Sequence, residues 1–159
     1  MEGTFLRQSE EKDEKAVYDL HVAGLKQSES YIADPSSREE LDKDLKNIKE
    51  SYIDNGGEFL VLTTTDNEII GMGGLRKIDD TTSEIKRMRV NLGFQGKGLG
   101  SLILDKLIEK AKELGYKKLI LDTALKQKVA QHLYESRGFK ESNRGEVFGQ
   151  ETIYYELEL

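Results

Sequence analysis

The hydrophobic pattern changes period several times along the chain. Thr4 to Arg7 reads as a short strand, and behind it Ala16, Val17, Leu20 and Gly24 fall at helical spacing from Ser9 to about Leu25. Tyr31 to Pro35 reads as a loop. Ser37-Arg38-Glu39-Glu40 has the capping-box pattern, which satisfies orphan amides at a helix start. Leu41, Leu45, Ile48 and Tyr52 then form one apolar stripe and predict a helix that ends near Asn55-Gly56-Gly57.

Three strands are expected next. Glu58 to Thr65 carries the run Phe59-Leu60-Val61-Leu62, Asp66-Asn67 is a turn, and Glu68 to Ile78 follows. Gly71, Gly73 and Gly74 within that strand suggest a bulge or a close backbone approach. Asp79-Asp80 turns the chain into Ser83 to Asn91, and the three strands read as an antiparallel meander. From Gly98 to Leu114, the residues Leu99, Leu102, Ile103, Leu107, Ala111 and Leu114 mark a helix closed by Gly115. Lys118 to Asp122 is a short buried strand, Gln127 to Arg137 a helix stopped by Gly138, and Phe139 to Leu159 two strands. In the last of these Ile153, Tyr155, Leu157 and Leu159 alternate with polar partners, apart from Tyr154. With no repeat, linker or low-complexity tract, residues 1–159 read as a single α/β domain.

Composition narrows the chemistry. The chain is 36% hydrophobic and 34% charged, as expected of a folded protein with a polar surface. It has no cysteine, which removes disulfides, Cys-zinc sites and a Cys nucleophile. His21 and His132 are the only histidines, so no metal site is expected. The net charge of −6, without a dense basic run, argues against nucleic acid. It fits a cationic amine substrate weakly, and a charge that only maintains solubility better. No apolar stretch approaches the ~20 residues of a membrane span. The start Met1-Glu2-Gly3-Thr4 lacks the features of a secretory leader, so a cytoplasmic location is expected.

The segment Gln95-Gly96-Lys97-Gly98-Leu99-Gly100 lies between a strand and a helix start. There unpaired amides and a partial positive charge favour a phosphate, glycines permit close approach, and Lys97 adds charge. A Walker A loop would need Ser or Thr after Gly96-Lys97, where Gly98 stands. A Rossmann fingerprint would need a glycine where Ser101 stands. A glycine-rich turn without ligand is the remaining alternative.

This loop resembles the signature Gln/Arg-x-x-Gly-x-Gly/Ala of the GNAT acetyltransferase superfamily. Glu84-Ile85-Lys86-Arg87-Met88-Arg89-Val90 resembles the strand that leads into it. Ala130-Gln131-His132-Leu133-Tyr134-Glu135-Ser136-Arg137-Gly138-Phe139 resembles the family's second signature, Ala-x-x-x-Tyr-x-x-x-Gly-Phe, in the right order and at the right distance. The resemblance implies a mixed central sheet of about seven strands flanked by about four helices, with two strands splayed apart at the cofactor. It implies that acetyl-CoA is the cosubstrate, without a metal, and that an amine attacks the thioester directly in a ternary complex. By position, the backbone near Met88 and Val90 would hold the pantetheine arm. The amides from Gln95 to Gly100 and of Ser101 would hold the pyrophosphate. Tyr134 would protonate the leaving thiolate. Gln127 stands where many members have an asparagine that contacts the cofactor arm, and Arg89 where tyrosine is common.

Individual residues carry alternatives. Tyr134 is one turn from Ala130 and could be core. Glu84 could be an ordinary strand carboxylate; strict alternation puts it on the face of Met88 and Val90, which makes it a candidate general base. His21 and His132 read as packing or surface residues. Tyr31 and Asp34 are candidates for the acceptor wall. The expected acceptor is a primary amine on a small molecule. A protein N-terminus or lysine, or a non-catalytic acyl-CoA-binding role, remain alternatives. Many members dimerise, and the C-terminal strands, with Tyr154 on the outer face, are a candidate contact.

Overall fold

The computed structural model describes residues 3–27, 40–147 and 149–159. The capping-box residues Ser37 to Glu39, together with Tyr31 and Asp34, lie outside them. The expected strands pair into one sheet: β1 (Thr4–Gln8), β2 (Glu58–Thr64), β3 (Ile69–Lys77), β4 (Thr82–Val90), β5 (Lys118–Ala124), β6 (Lys140–Val147) and β7 (Gln150–Glu158). Their order across the sheet is β1-β2-β3-β4-β5-β7-β6. β4 and β5 run parallel, and every other neighbouring pair is antiparallel. A parallel step needs a crossover, which α2 (Leu99–Glu113) supplies. α1 (Glu14–Gln27) and α3 (Lys128–Ser136) are the other α-helices among the described residues.

Because side chains alternate across a strand, β2 feeds two cores. Leu60 and Leu62 join Ile85, Ile103, Leu107 and Tyr134 on the side of α2 and α3. Phe59 and Val61 join Val17, Leu45, Tyr52 and Met72 on the side of α1. On α2 the expected Leu99, Ile103, Leu107 and Ala111 are buried, whereas Leu102 and Leu114 are exposed and Leu104 turns inward.

Two glycines close helices as expected. Gly115 (φ +88°) lets Tyr116 N donate to Ala111 O at 3.1 Å, and Gly138 (φ +94°) lets Phe139 N donate to Tyr134 O at 3.2 Å. The second closure folds Phe139 back onto Tyr134, with ring centroids 5.8 Å apart. The Tyr-x-x-x-Gly-Phe spacing is therefore a helix stop that also packs the tyrosine.

The helix expected up to Asn55 is irregular. It has a 3-10 turn at Lys43–Lys46 and a π turn at Lys49–Ile53. Leu45, Ile48 and Tyr52 are buried as predicted, but Asp42 and Asp44 are buried beside them. The backbone tightens at the first turn and widens at the second.

The β3 glycines serve close approach on both faces. A Cβ at Gly73 would stand 2.8 Å from Ile103 Cγ2 and from Met88 Sδ, and one at Gly74 would stand 2.8 Å from Tyr52 Cε1. The bulge they suggested exists in β3, where Ile70 is the extra residue between Gly71, paired with Leu62, and Ile69, paired with Thr63; a second lies opposite Gly73, with its extra residue in β4. Met72 pairs with Arg89 and Gly74 with Lys86, so Arg87 and Met88 together oppose Gly73.

Candidate active site

The parallel contact of β4 with β5 is short: Thr82 pairs with Lys118, Ser83 with Leu119 and Glu84 with Ile120, and pairing stops there. Both strands continue, β4 beside β3 as far as Val90 and β5 beside β7 as far as Ala124. Past Glu84 the two facing edges diverge, which opens the sheet at its middle. An extended polar arm fits such a place, since its groups can take the backbone partners that a neighbouring strand would have taken.

At the far end of β4 the chain turns sharply. Asn91 Oδ1 accepts from Gly93 N at 3.0 Å, and Gln95 Nε2 donates to Val90 O at 3.0 Å. Gln95 N is itself directed to Leu92 O at 3.4 Å, so it does not belong to the open amides expected there. From Gly96 through Lys97, Gly98, Leu99 and Gly100 to Ser101, no backbone N–H has a partner among the described residues. Gly96 and Gly98 both take φ +78°, and nothing lies within 4 Å of a Cβ at either. The backbone conformation alone calls for glycine at both positions. Open amides at the start of α2 fit the pyrophosphate of a coenzyme.

Tyr134 is held between Phe139 and Tyr155, with only 6% of its surface exposed. Its hydroxyl has no hydrogen-bond partner among the described residues. Burial pushes its pKa up to about 12, against the charge of Arg89 and with that of Asp122. Arg89 belongs to β4 and Asp122 to β5, so the hydroxyl lies within reach of charges on both diverging strands. Gln127 stands at the N-cap of α3 and makes no side-chain cap bond. Its neighbour one turn on, Gln131, is buried and donates to Leu125 O at 2.6 Å and Ala124 O at 3.2 Å, which locks the turn from β5 into α3. Glutamine at i and i+4 was the only trace of this in the sequence.

The β4 bulge overturns one expectation. Strict alternation placed Glu84 with Met88 and Val90. With Arg87 inserted, Ile85, Met88 and Val90 share the α2 face, whereas Glu84 pairs across with Arg76 at 3.2 Å on the α1 face. Glu84 nevertheless occupies the last paired rung, at the apex of the opening. His21 is a packing residue: it is 1% exposed, and its Nε2 lies 2.9 Å from Asp42 Oδ1. His132 is on the surface.

Residues 21–139 match the model of the Acetyltransferase (GNAT) family, and the chain belongs to that family. Human N-acetyltransferase 8 is 28% identical over 106 residues, which cover 64% of this chain and 47% of that one. Human N-acetylaspartate synthetase is 31% identical over 101 residues, covering 63% and 33%. The chain thus matches about half of the first relative and a third of the second. The fold is that of an acetyltransferase of the GNAT family from Staphylococcus aureus Mu50, with a TM-score of 0.85 at 23% identity over 98% of both chains.

Proposed function

We propose that the protein transfers an acetyl group from acetyl-CoA to a primary amine on a small molecule, by direct attack within a ternary complex. The observation that carries this reading is the opening between β4 and β5, with Tyr134 beside it and the open amides from Gly96 to Ser101 at its end. Acetyl-CoA supplies the thioester carbonyl that the amine attacks. The backbone at Met88 and Val90 holds the pantetheine arm, the loop holds the pyrophosphate, and Gln127 lies where the arm passes α3.

The C–N bond forms as the C–S bond breaks, which leaves one proton on nitrogen to remove and a thiolate to stabilise. An amine that arrives as an ammonium has a further proton to lose before it attacks: Glu84, at the apex on the α1 face, takes that one directly or through a water and passes it to solvent, and then takes the second as the C–N bond forms. Tyr134 donates its O–H to the departing sulfur. With its pKa near about 12, the tyrosine stays protonated throughout the working range. A thiol titrates near ~8.5, so complete proton transfer from Tyr134 is uphill, and its hydrogen bond supplies most of the help.

A small acceptor is supported by the family relative named for N-acetylaspartate synthesis. Free-thiol release from acetyl-CoA, followed over a panel of amino acids, polyamines and short peptides, tests the reading. Turnover with small amines well above that with peptides is expected. Turnover with peptides alone would move the acceptor to proteins, and acetyl-CoA binding with no turnover on any amine would leave an acyl-CoA-binding module.

A further inference from the structure

A buried polar connection runs from the β4 bulge to the α1 side of the fold, and the reaction above does not use it. Arg87 takes φ +60° at the bulge, in the left-handed region that costs a non-glycine residue free energy. Its guanidinium grips the segment between residues 41 and 52. Nε donates to Asp44 Oδ2 at 3.1 Å, and NH2 donates to Asp44 Oδ1 at 2.7 Å and to Leu41 O at 2.8 Å. The Tyr52 hydroxyl donates to the same Asp44 carboxylate. The side chains of Arg87 and Asp44 are only 16% and 11% exposed, so solvent barely screens the pair.

A two-pronged arginine–carboxylate pair fixes angle as well as distance. A bulge, in contrast, is a soft place in a strand, because an extra residue can be accommodated at neighbouring rungs. Moving it by one residue towards Val90 would turn Arg87 to the α2 face, and losing it would reverse Met88 and Arg89 as well. A firm anchor at Arg87 excludes those alternatives.

We propose that Arg87 is a positioning residue for acetyl-CoA. Its pair with Asp44 pins the bulge so that the backbone at Met88 and Val90 meets the opening between β4 and β5 in a single register. The proposal rests on the acetyl-CoA reading given above. It assigns the energy of the pair to the shape of the cofactor edge as well as to stability.

The test compares ligand-free melting temperature with the acetyl-CoA dissociation constant, measured by calorimetry well below each variant's melting point. Arg87→Gly keeps easy access to φ +60° and removes only the anchor. It should stay folded and bind acetyl-CoA at least tenfold more weakly. Arg87→Lys restores the charge without the fork and should recover only part of the loss. Folded variants with the wild-type dissociation constant, whatever their melting points, would overturn the proposal. Should neither Arg87 variant fold, Tyr52→Phe loosens Asp44 by one bond and should weaken binding about threefold, and unchanged affinity there would overturn it equally. Wild-type protein that fails to bind acetyl-CoA would instead refute the acetyltransferase reading.

Discussion

Arg89 lies across Gly24: a Cβ built on that glycine would stand 2.7 Å from Arg89 Cδ and 3.1 Å from its Nε. Alanine there would favour α1 by about 1 kcal/mol, yet the helix carries glycine where the arginine crosses it. The charge of Arg89 opposes the burial that raises the Tyr134 pKa. In Gly24→Ala the gain in helix propensity and the displacement of Arg89 should nearly cancel, leaving stability within about 1 kcal/mol of wild type. The rate of thiol release should fall. Urea unfolding and steady-state kinetics on one preparation separate the two effects, and an unchanged rate would show that the place of Arg89 is immaterial.

The phosphate loop makes a separate prediction. Gly98→Val forces a β-branched residue to φ +78°, at a cost of about 1–3 kcal/mol. It should also turn the amides away from the coenzyme. Gly115→Val meets the same difficulty at φ +88°, where again nothing lies within 4 Å of an added Cβ, but at the other end of α2. Both variants should lose similar stability, and only Gly98→Val should lose acetyl-CoA affinity. Equal affinities would dissociate the loop from coenzyme binding.

Tyr134→Phe removes a hydroxyl that has no protein partner among the described residues, so it should cost little stability. Acetyl-CoA affinity should hold. The maximal rate should fall by roughly 10²-fold, the lower end for a proton donor acting on an already tolerable leaving group. A wild-type maximal rate would make Tyr134 a core aromatic and nothing more.

Much of this arrangement was legible in the residues because it depends on local rules. Gly115 and Gly138 announce helix ends, Leu99 to Ala111 announce a buried stripe, and the glycines after Gln95 announce a loop whose backbone a phosphate can approach. What stayed hidden depends on long-range pairing. Nothing local to Lys86-Arg87-Met88 indicates that Arg87 is the extra residue, because its conformation is secured by Asp44, 43 positions earlier. The faces of Glu84 and Met88 were misassigned for that reason, since a bulge breaks the alternation on which the assignment relied. Nothing local signals the burial of Asp42 and Asp44 either, and their distant partners His21 and Arg87 account for it.

His21 links pH to stability. Burial, with Arg87 and Arg89 nearby, lowers its pKa from 6.5 to about 4, against the pull of Asp42. The folded protein therefore resists protonation that the unfolded chain accepts. Stability from this group is complete above about pH 6.5 and declines as the pH falls towards about 4. His21→Gln cannot take up the proton and should flatten that part of the profile while being less stable at neutral pH. Parallel pH profiles for the two proteins, from urea unfolding between pH 4 and 7, would place the acid sensitivity elsewhere.

On the proposed reading, Glu84 is the residue on which the acceptor chemistry turns. An alkyl amine titrates near ~10.4, so at neutral pH almost all of it is protonated and has no lone pair for attack. Keeping it neutral at pH 7 costs roughly 4–5 kcal/mol, from about 3.4 units at about 1.36 kcal/mol each. An ordinary carboxylate, titrating near ~4.3, is a much weaker base than the amine, so its part is to pass the proton on through water to solvent as the amine binds. Glu84 has the right location, on the last rung before β4 and β5 part, and its side chain is only 15% exposed. Arg76 holds Glu84 Oε1 at 3.2 Å, which leaves Oε2 to face a water or the amine itself. Glu84→Gln preserves the shape and removes the charge. The variant should bind acetyl-CoA as the wild type does, lose rate at pH 7, and regain much of it at pH 9–10, where solvent deprotonates the amine. A pH–rate profile that superimposes on the wild type would mean that another group takes the proton, or that the amine arrives neutral from solution.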